Sequence, residues 1–404
     1  MFDIDLAFVS IMEPPNTEMY SKALKKRRAQ NITAIQSTLI DGFIANTAQN
    51  PWIINTPLLS LFPRGYKFPI VRSSAFHGAC NGINHAFLNF SPLYSTSLFY
   101  GAKKHLKAWA NQVTDKDKVI IAYALTRYTL QIMNYVKSIN PKIKTAIIVP
   151  DIPELTFRDT KNPLKRIKNI ISVKCILKTR KKHAKNVDGW ILFSEKMQEK
   201  IPEIKNSMVF EGVATDLFSD ITKVRDNLNK EILYAGGLNE NYGVKLLIDA
   251  FSLLKGDDWR LILAGRGPLE NYIKQKVKND PRIIYKGEVL RSDLLVLEKN
   301  ADCLVNPRTN SGVFTRYSFP SKNMEYLSSG TPMVGFKLDG IPDEYDAYIN
   351  YFSDETPDSL AQIIEMVCQS NAALKTAESA RDFVLQQKNQ YCWTKKMIEF
   401  MLSL

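Results

Sequence analysis

Between Asn306 and Val334 the sequence gathers the residue types that handle phosphate: Arg308 in Asn-Pro-Arg, then Lys322 and Glu325 three positions apart in the run from Tyr317 to Val334. A buried strand ending at Asn306, a loop, and a helix starting near Ser321 would aim that helix's unsatisfied amides and positive dipole end at the loop's occupant. Such an end binds phosphate. Lys322 in the first turn adds a point charge, and Arg308 adds a planar fork suited to a diphosphate. Glu325, one turn further in, is the residue type that accepts hydrogen bonds from vicinal ribose hydroxyls in doubly wound nucleotide sites. Gly330-Thr-Pro then stops the helix. Taken singly, Glu325 reads as well as a surface charge and Lys322 as a solubilising one.

Other candidates are weaker. Asp151 follows an apolar β-branched run and could orient an acceptor hydroxyl, although Pro150-Asp151-Ile-Pro153 is also a good turn. Arg127, just beyond another such run, carries the same ambiguity. Asn16 sits in Glu13-Pro-Pro-Asn16, the loop after the first expected strand. Gly265-Arg-Gly267-Pro lacks the third glycine of a dinucleotide loop, since that position is Glu270, so a nicotinamide cofactor is not expected. The four histidines have no paired ligand spacing and the five cysteines no CxxC, so neither a metal site nor a disulfide framework is expected.

These residues need elements to hold them. A chain of 404 residues is long enough for two cores, and 45% hydrophobic with 24% charged residues is an ordinary globular balance. Apolar runs at 4–9, 53–54, 70–71, 118–123, 145–149 and 188–193 predict strands in the first half, with helices over 18–30 and 129–137. In the second half strands at 232–235, 259–264, 282–285, 303–306 and 332–336 alternate with helices at 243–255, 269–279, 292–299 and 321–329. Strand and helix in alternation predict parallel crossovers, hence an α/β chain of two Rossmann-like doubly wound domains facing a central cleft, where ligands of this architecture bind. The expected domains are 1–215 and 216–388, with a helix at 389–404 returning to the first.

Lys and Arg exceed Asp and Glu by 54 to 41, which points to an anionic partner. Ten of these cations lie within 160–185, a segment with no acid. Helical turning groups Leu164, Ile167, Ile170 and Ile171 on one side of its first half, while the later cations scatter around the axis. The segment reads either as a surface that adheres to anionic lipid headgroups, at about 1 kcal/mol per charge, or as a solvated helix. Nucleic acid is not expected, because no aromatics are interleaved with the charges. The N-terminus is acidic where a secretory signal is basic, and no stretch approaches the roughly 20 apolar residues of a span. A cytoplasmic protein, peripheral on the inner membrane face, is the expectation.

The run Ser-Phe-Pro-Ser-Lys-Asn-Met-Glu-Tyr-Leu-Ser-Ser-Gly-Thr-Pro resembles the signature of family 4 retaining glycosyltransferases of the GT-B type. The likeness spans about 230–350, through Tyr234-Ala-Gly-Gly-Leu238, Leu263-Ala-Gly-Arg-Gly-Pro268 and Gly340-Ile-Pro-Asp-Glu344. The first half is similar more loosely, through Ile148-Val-Pro-Asp151-Ile-Pro-Glu154, to members that build capsular or exopolysaccharides. The resemblance implies a transferase that moves a sugar, with retention, from a nucleotide-diphosphate sugar to a glycan acceptor, lipid-linked in this branch, without cofactor or metal. It implies a donor site around Gly236, Gly237, Tyr317, Phe319, Ser321, Lys322 and Glu325, to which Arg266 is added as a nearby cation; catalytic roles are expected of Lys322, Arg308 and Asp151, and acceptor-side positions of Arg127, Asp151 and Asn16, the last without support from the resemblance, since relatives place glycines in that loop.

The departures are as informative. Of the family's two acids eight positions apart, the second is Glu325 but the first position is Tyr317. The family's diphosphate-bracketing Arg and Lys fall at Gly237 and Tyr242. A leaving diphosphate needs positive charge to offset what develops on it, so Arg308, Lys322 and Arg266 are the expected substitutes. An epimerase of the same plan and a catalytically silent partner of a polysaccharide assembly complex are the rival readings.

Overall fold

The computed structural model describes the chain except residues 15–19, 21–22, 24–29, 92, 157–161, 225–227 and 313–314, and the side chains of 30, 31, 156, 164 and 165. The helix expected over 18–30 and the candidate Asn16 lie, apart from isolated positions of the former, outside the described residues. Two compact units result: Met1–Glu211 with Gln390–Leu404, and Gly212–Asn389.

The first unit is built on β1 (Ile4–Met12), β2 (Trp52–Pro57), β4 (Ser74–Phe76), β5 (Gly82–Asn84), β7 (Asp117–Tyr123), β8 (Lys144–Val149), β9 (Gly189–Leu192) and β10 (Ser207–Val209), in spatial order β10-β9-β8-β7-β1-β2-β5-β4. All neighbours pair in parallel except β4 with β5. A separate antiparallel pair joins β3 (Ile70–Val71) to β6 (Phe87–Leu88). Parallel strands must be covered on both faces, which is why β1, β7 and β8 are almost wholly apolar and buried. Helices α1 (Gln30–Asn46), α2 (Tyr94–Asn111), α3 (Arg127–Ile139) and α4 (Pro163–His183) make the crossovers of this unit. Thr126 caps α3 in a capping box with Thr129.

The second unit holds one six-stranded parallel sheet in the order β13-β12-β11-β14-β15-β16, formed by β11 (Lys230–Ala235), β12 (Trp259–Ala264), β13 (Ile283–Gly287), β14 (Cys303–Asn306), β15 (Met333–Phe336) and β16 (Asn350–Phe352). This order reverses between β11 and β14, the switch point at whose carboxyl edge doubly wound folds bind ligands. Helices α5 (Val244–Leu253), α6 (Glu270–Asn279), α7 (Arg291–Asn300), α8 (Ser321–Ser329), α9 (Pro357–Gln369) and α10 (Asn371–Gln387) cover it. The final helix, α11 (Gln390–Ser403), belongs to the first unit: Asn46 of α1 donates to the Tyr391 carbonyl at 2.8 Å, and Trp393 meets Phe210 edge to face at 5.3 Å.

The basic segment is helical over Pro163–His183, and Ile167, Ile170 and Ile171 are 47–56% exposed. Arg180 departs from the expectation of an all-surface charge run. It is buried and pairs with Glu154 at 2.7 Å and Glu203 at 3.1 Å, because an unpaired guanidinium at that depth would be costly.

Candidate functional site

The residues singled out in the second half of the sequence gather at the carboxyl ends of β11, β12 and β14. Strand β14 ends on buried Asn306, whose amide donates to Asn323 Oδ1 in the first turn of α8 at 2.7 Å. That bond fastens the strand end carrying Arg308 to the helix start carrying Lys322. The side of α8 that faces β11 is held by Tyr326, whose hydroxyl accepts from the Ala235 amide at 2.9 Å, immediately before Gly236. Helix α8 begins after Pro320 without a side-chain cap, so it retains the donor-rich end that the sequence predicts.

Two glycines set the backbone of this edge. Gly243, at the start of α5, has φ +73°, and a Cβ there would stand 1.9 Å from the Pro307 carbonyl oxygen. Gly265 has φ +134°, with a Cβ position 1.9 Å from the Gly236 carbonyl oxygen. Any larger residue at either place would push the loops carrying Tyr242, Arg308 and Gly236 apart.

The expected cations have distinct surroundings. The Arg308 guanidinium lies 4.3 Å from the Tyr242 ring centroid, a stacked cation–π contact. Tyr242 in turn packs against Gly237, where a Cβ would meet its ring at 2.9 Å. The two positions whose cations the resemblance finds missing are therefore in contact, and a guanidinium from another loop lies on one of them. Arg266, 70% exposed at its side chain, pairs with Glu288 at 3.0 Å and so is a partly neutralised surface charge. Lys322 is not the isolated point charge expected: its ammonium bridges Glu325 Oε1 at 2.6 Å and Glu298 Oε1 at 3.0 Å. Arg291 grips the other Glu325 oxygen at 2.6 Å.

Glu298 and Arg291 were not legible as site residues. Both lie on α7, seven positions apart and hence on one helix face, far in sequence from the motif they serve. Burial is the largest influence on both carboxyls, and their neighbours split them. Glu298, fully enclosed, is pushed up to about 8 by desolvation against the pull of Lys322. Burial also acts to raise Glu325, but Lys322, the Glu298 carboxyl and Arg291 outweigh it and hold the group down at about 2. At neutral pH Glu325 is then a carboxylate and Glu298 a neutral acid, both against the Lys322 side chain.

Both aromatic candidates are buried. Phe319 is a core side chain, 5.1 Å from Tyr345 between ring centroids. Tyr317 is likewise buried. Ser321 is exposed at the first position of α8, and Gly236 follows β11 with its amide bonded to the Ala264 carbonyl at 2.9 Å. In the first unit Arg127 opens α3 and Asp151 follows β8, beyond the ends of two adjacent parallel strands. Asp151 is open to solvent on its outer side, and the protein packed around it raises its carboxyl by desolvation. Among the described residues no cluster of His, Cys, Asp and Glu could hold a metal ion.

Residues 229–370 match the family model described as glycosyl transferases group 1. No curated protein matches the chain in sequence. Solved structures match it over nearly its whole length: sucrose-phosphate synthase from Thermosynechococcus elongatus at 14% identity and TM-score 0.64, covering 99% of this chain and 98% of that one. The lipopolysaccharide outer core galactosyltransferase WaaB, in its apo form, matches at 15% and 0.62, covering 99% of each chain. HepE of Anabaena, solved with UDP, matches at 14% and 0.62, covering 99% of this chain and all of that one. At such identities the likeness establishes fold, and the fold is that of GT-B glycosyltransferases.

Proposed function

We propose that this GT-B glycosyltransferase moves a sugar from a nucleotide-diphosphate sugar, with retention of configuration, to a lipid-linked glycan acceptor in surface polysaccharide synthesis. The observation that carries the reading is the placement of Arg308 on Tyr242. A family position that has lost its cation is stacked by a guanidinium from the β14 loop, while the uncapped start of α8 stands one hydrogen bond away through Asn306 and Asn323. Amides of that helix end, the Arg308 fork and the Lys322 ammonium would supply the positive charge that a departing diphosphate requires, in place of a divalent metal. Glu325, held ionised by Lys322 and Arg291, is presented as an acceptor for ribose hydroxyls.

In this reading the second unit takes the donor and the first takes the acceptor, with Asp151 and Arg127 as the acceptor-side pair. Attack on the face from which the diphosphate leaves is the expected route to retention. The exposed isoleucines and lysines of α4 support a peripheral position on an anionic, inner membrane face, and no described helix is long and apolar enough to cross a membrane. The comparison with HepE makes UDP the first nucleotide to test. A panel of UDP-, GDP- and ADP-sugars, assayed for transfer and for hydrolysis with and without chelator, decides the matter. Chelator-resistant turnover of one donor is the expected result; chelator-sensitive turnover, or binding of none, overturns it.

A further inference from the structure

An apolar groove of about 410 Å³ opens on the first unit, far in sequence from the residues discussed so far, and lies within the size range of ligand pockets. The pair β3–β6 forms one wall with Ile70, Phe87 and Leu88. The start of α2 forms the other with Leu93, Ser97 and Tyr100. Gly101 permits this close approach, since a Cβ there would stand 1.8 Å from the Ala86 carbonyl oxygen. Ser97 spends its hydroxyl on the backbone of Leu88 and Tyr94, so it adds little polarity to the lining. Ile70 is 57% exposed, Leu93 46% and Tyr100 66%, with Phe68 close in sequence at 49%. Exposed apolar residues gathered in this way mark a binding surface.

Charge identifies the occupant. Residues 42–114 contain no Asp or Glu and six cations: Arg64, Lys67, Arg72, Lys103, Lys104 and Lys107. All six are exposed. Turning α2 at 100° per residue puts Leu93, Ser97, Tyr100, Lys104 and Lys107 within one narrow stripe. That stripe is apolar along its first half and cationic from about 6 Å beyond Tyr100. Lys67, three residues before Ile70 in the chain, stands 5.7 Å from the Phe68 ring centroid. We propose that the groove binds an amphiphile end to end, its hydrocarbon tail against Ile70, Leu93 and Tyr100 and its phosphate beside Lys104 and Lys107. This rests on the lipid-linked acceptor of the proposed function and names the part of the chain that would take the lipid.

The test titrates the full chain calorimetrically with dodecyl phosphate below its micelle concentration, with dodecyl maltoside and with sodium phosphate. Saturable binding of dodecyl phosphate is expected, about tenfold or more tighter than that of the maltoside, with none for phosphate. An Ile70→Asp/Leu93→Asp variant, changed only at exposed positions, should lose it by at least about tenfold, and the milder Leu93→Ser should weaken it with an unchanged melting temperature. A Lys104→Glu/Lys107→Glu variant should bring dodecyl phosphate down to the level of the maltoside. A Lys168→Glu/Lys174→Glu variant of α4 should leave binding intact. Unchanged binding in the aspartate variant, loss in the α4 variant instead, or self-association abolished by the aspartates would each overturn the proposal. UDP binding, followed in parallel, reports separately on the donor reading.

Discussion

Glu298 is the residue whose replacement tests the site's electrostatics most directly. Its carboxyl is fully enclosed and pushed up to about 8 from an ordinary 4.5. An acid raised in this way is protonated in the fold while it ionises in the unfolded chain, so it costs nothing below pH 4.5 and progressively more as pH rises towards 8. At pH 7 that cost is on the order of 3 kcal/mol. Glu325 acts in the opposite sense. Held at about 2, it stabilises the fold above pH 4.5, and that stability is lost as pH falls through 2. The two groups therefore pull stability in opposite directions at neutral pH. Glu298→Gln keeps the shape and the donor but cannot ionise. It should be near-neutral at pH 5 and stabilising by about 3 to 4 kcal/mol at pH 8, a rise of several degrees in the melting temperature. Thermal unfolding at pH 5, 6.5 and 8 measures this. The opposite model, an ionised Glu298 paired with Lys322, predicts a loss of about 3 to 5 kcal/mol on breaking the buried pair. A melting temperature that falls at pH 8 would refute the assignment of the proton to Glu298.

Glu325→Ala should weaken UDP binding by roughly 10- to 100-fold, the worth of a charge-assisted hydrogen bond or two, whereas Lys322→Ala should depress kcat more than it changes Kd; titration and steady-state kinetics separate the two. Tyr242→Phe retains the ring under Arg308 and should turn over donor at close to the wild-type rate, while Arg308→Ala should lose about 100-fold or more in kcat; equal effects would break the link between the stack and the reaction. Gly243→Ala forces a side chain into φ +73° and against the Pro307 carbonyl, and should destabilise the chain by about 2 kcal/mol or more, read as a lowered melting temperature.

The strands of both sheets were largely legible because buried parallel strands are continuous apolar β-branched runs. Those at 259–264 and 303–306 coincide with β12 and β14. The helix at Ser321 announced itself through Pro320 before it and Gly330 after it, and its end in a left-handed Gly330 follows from that sequence. By contrast β16 and the two long helices α9 and α10 gave no chemical motif to draw attention, and α2 was blurred by its many aromatics. The residue types of the site, an uncapped helix start with Lys322 and Glu325 and a nearby Arg308, were fixed by local sequence, since each needs only its own element. What those groups touch was decided by tertiary structure alone. Glu298 and Arg291 reach the site from α7, Arg308 lands on Tyr242 from across the switch point, and Phe319 turns into the core. Such pairings depend on packing between elements distant in the chain, and the protonation of a carboxyl depends on the burial that this packing creates.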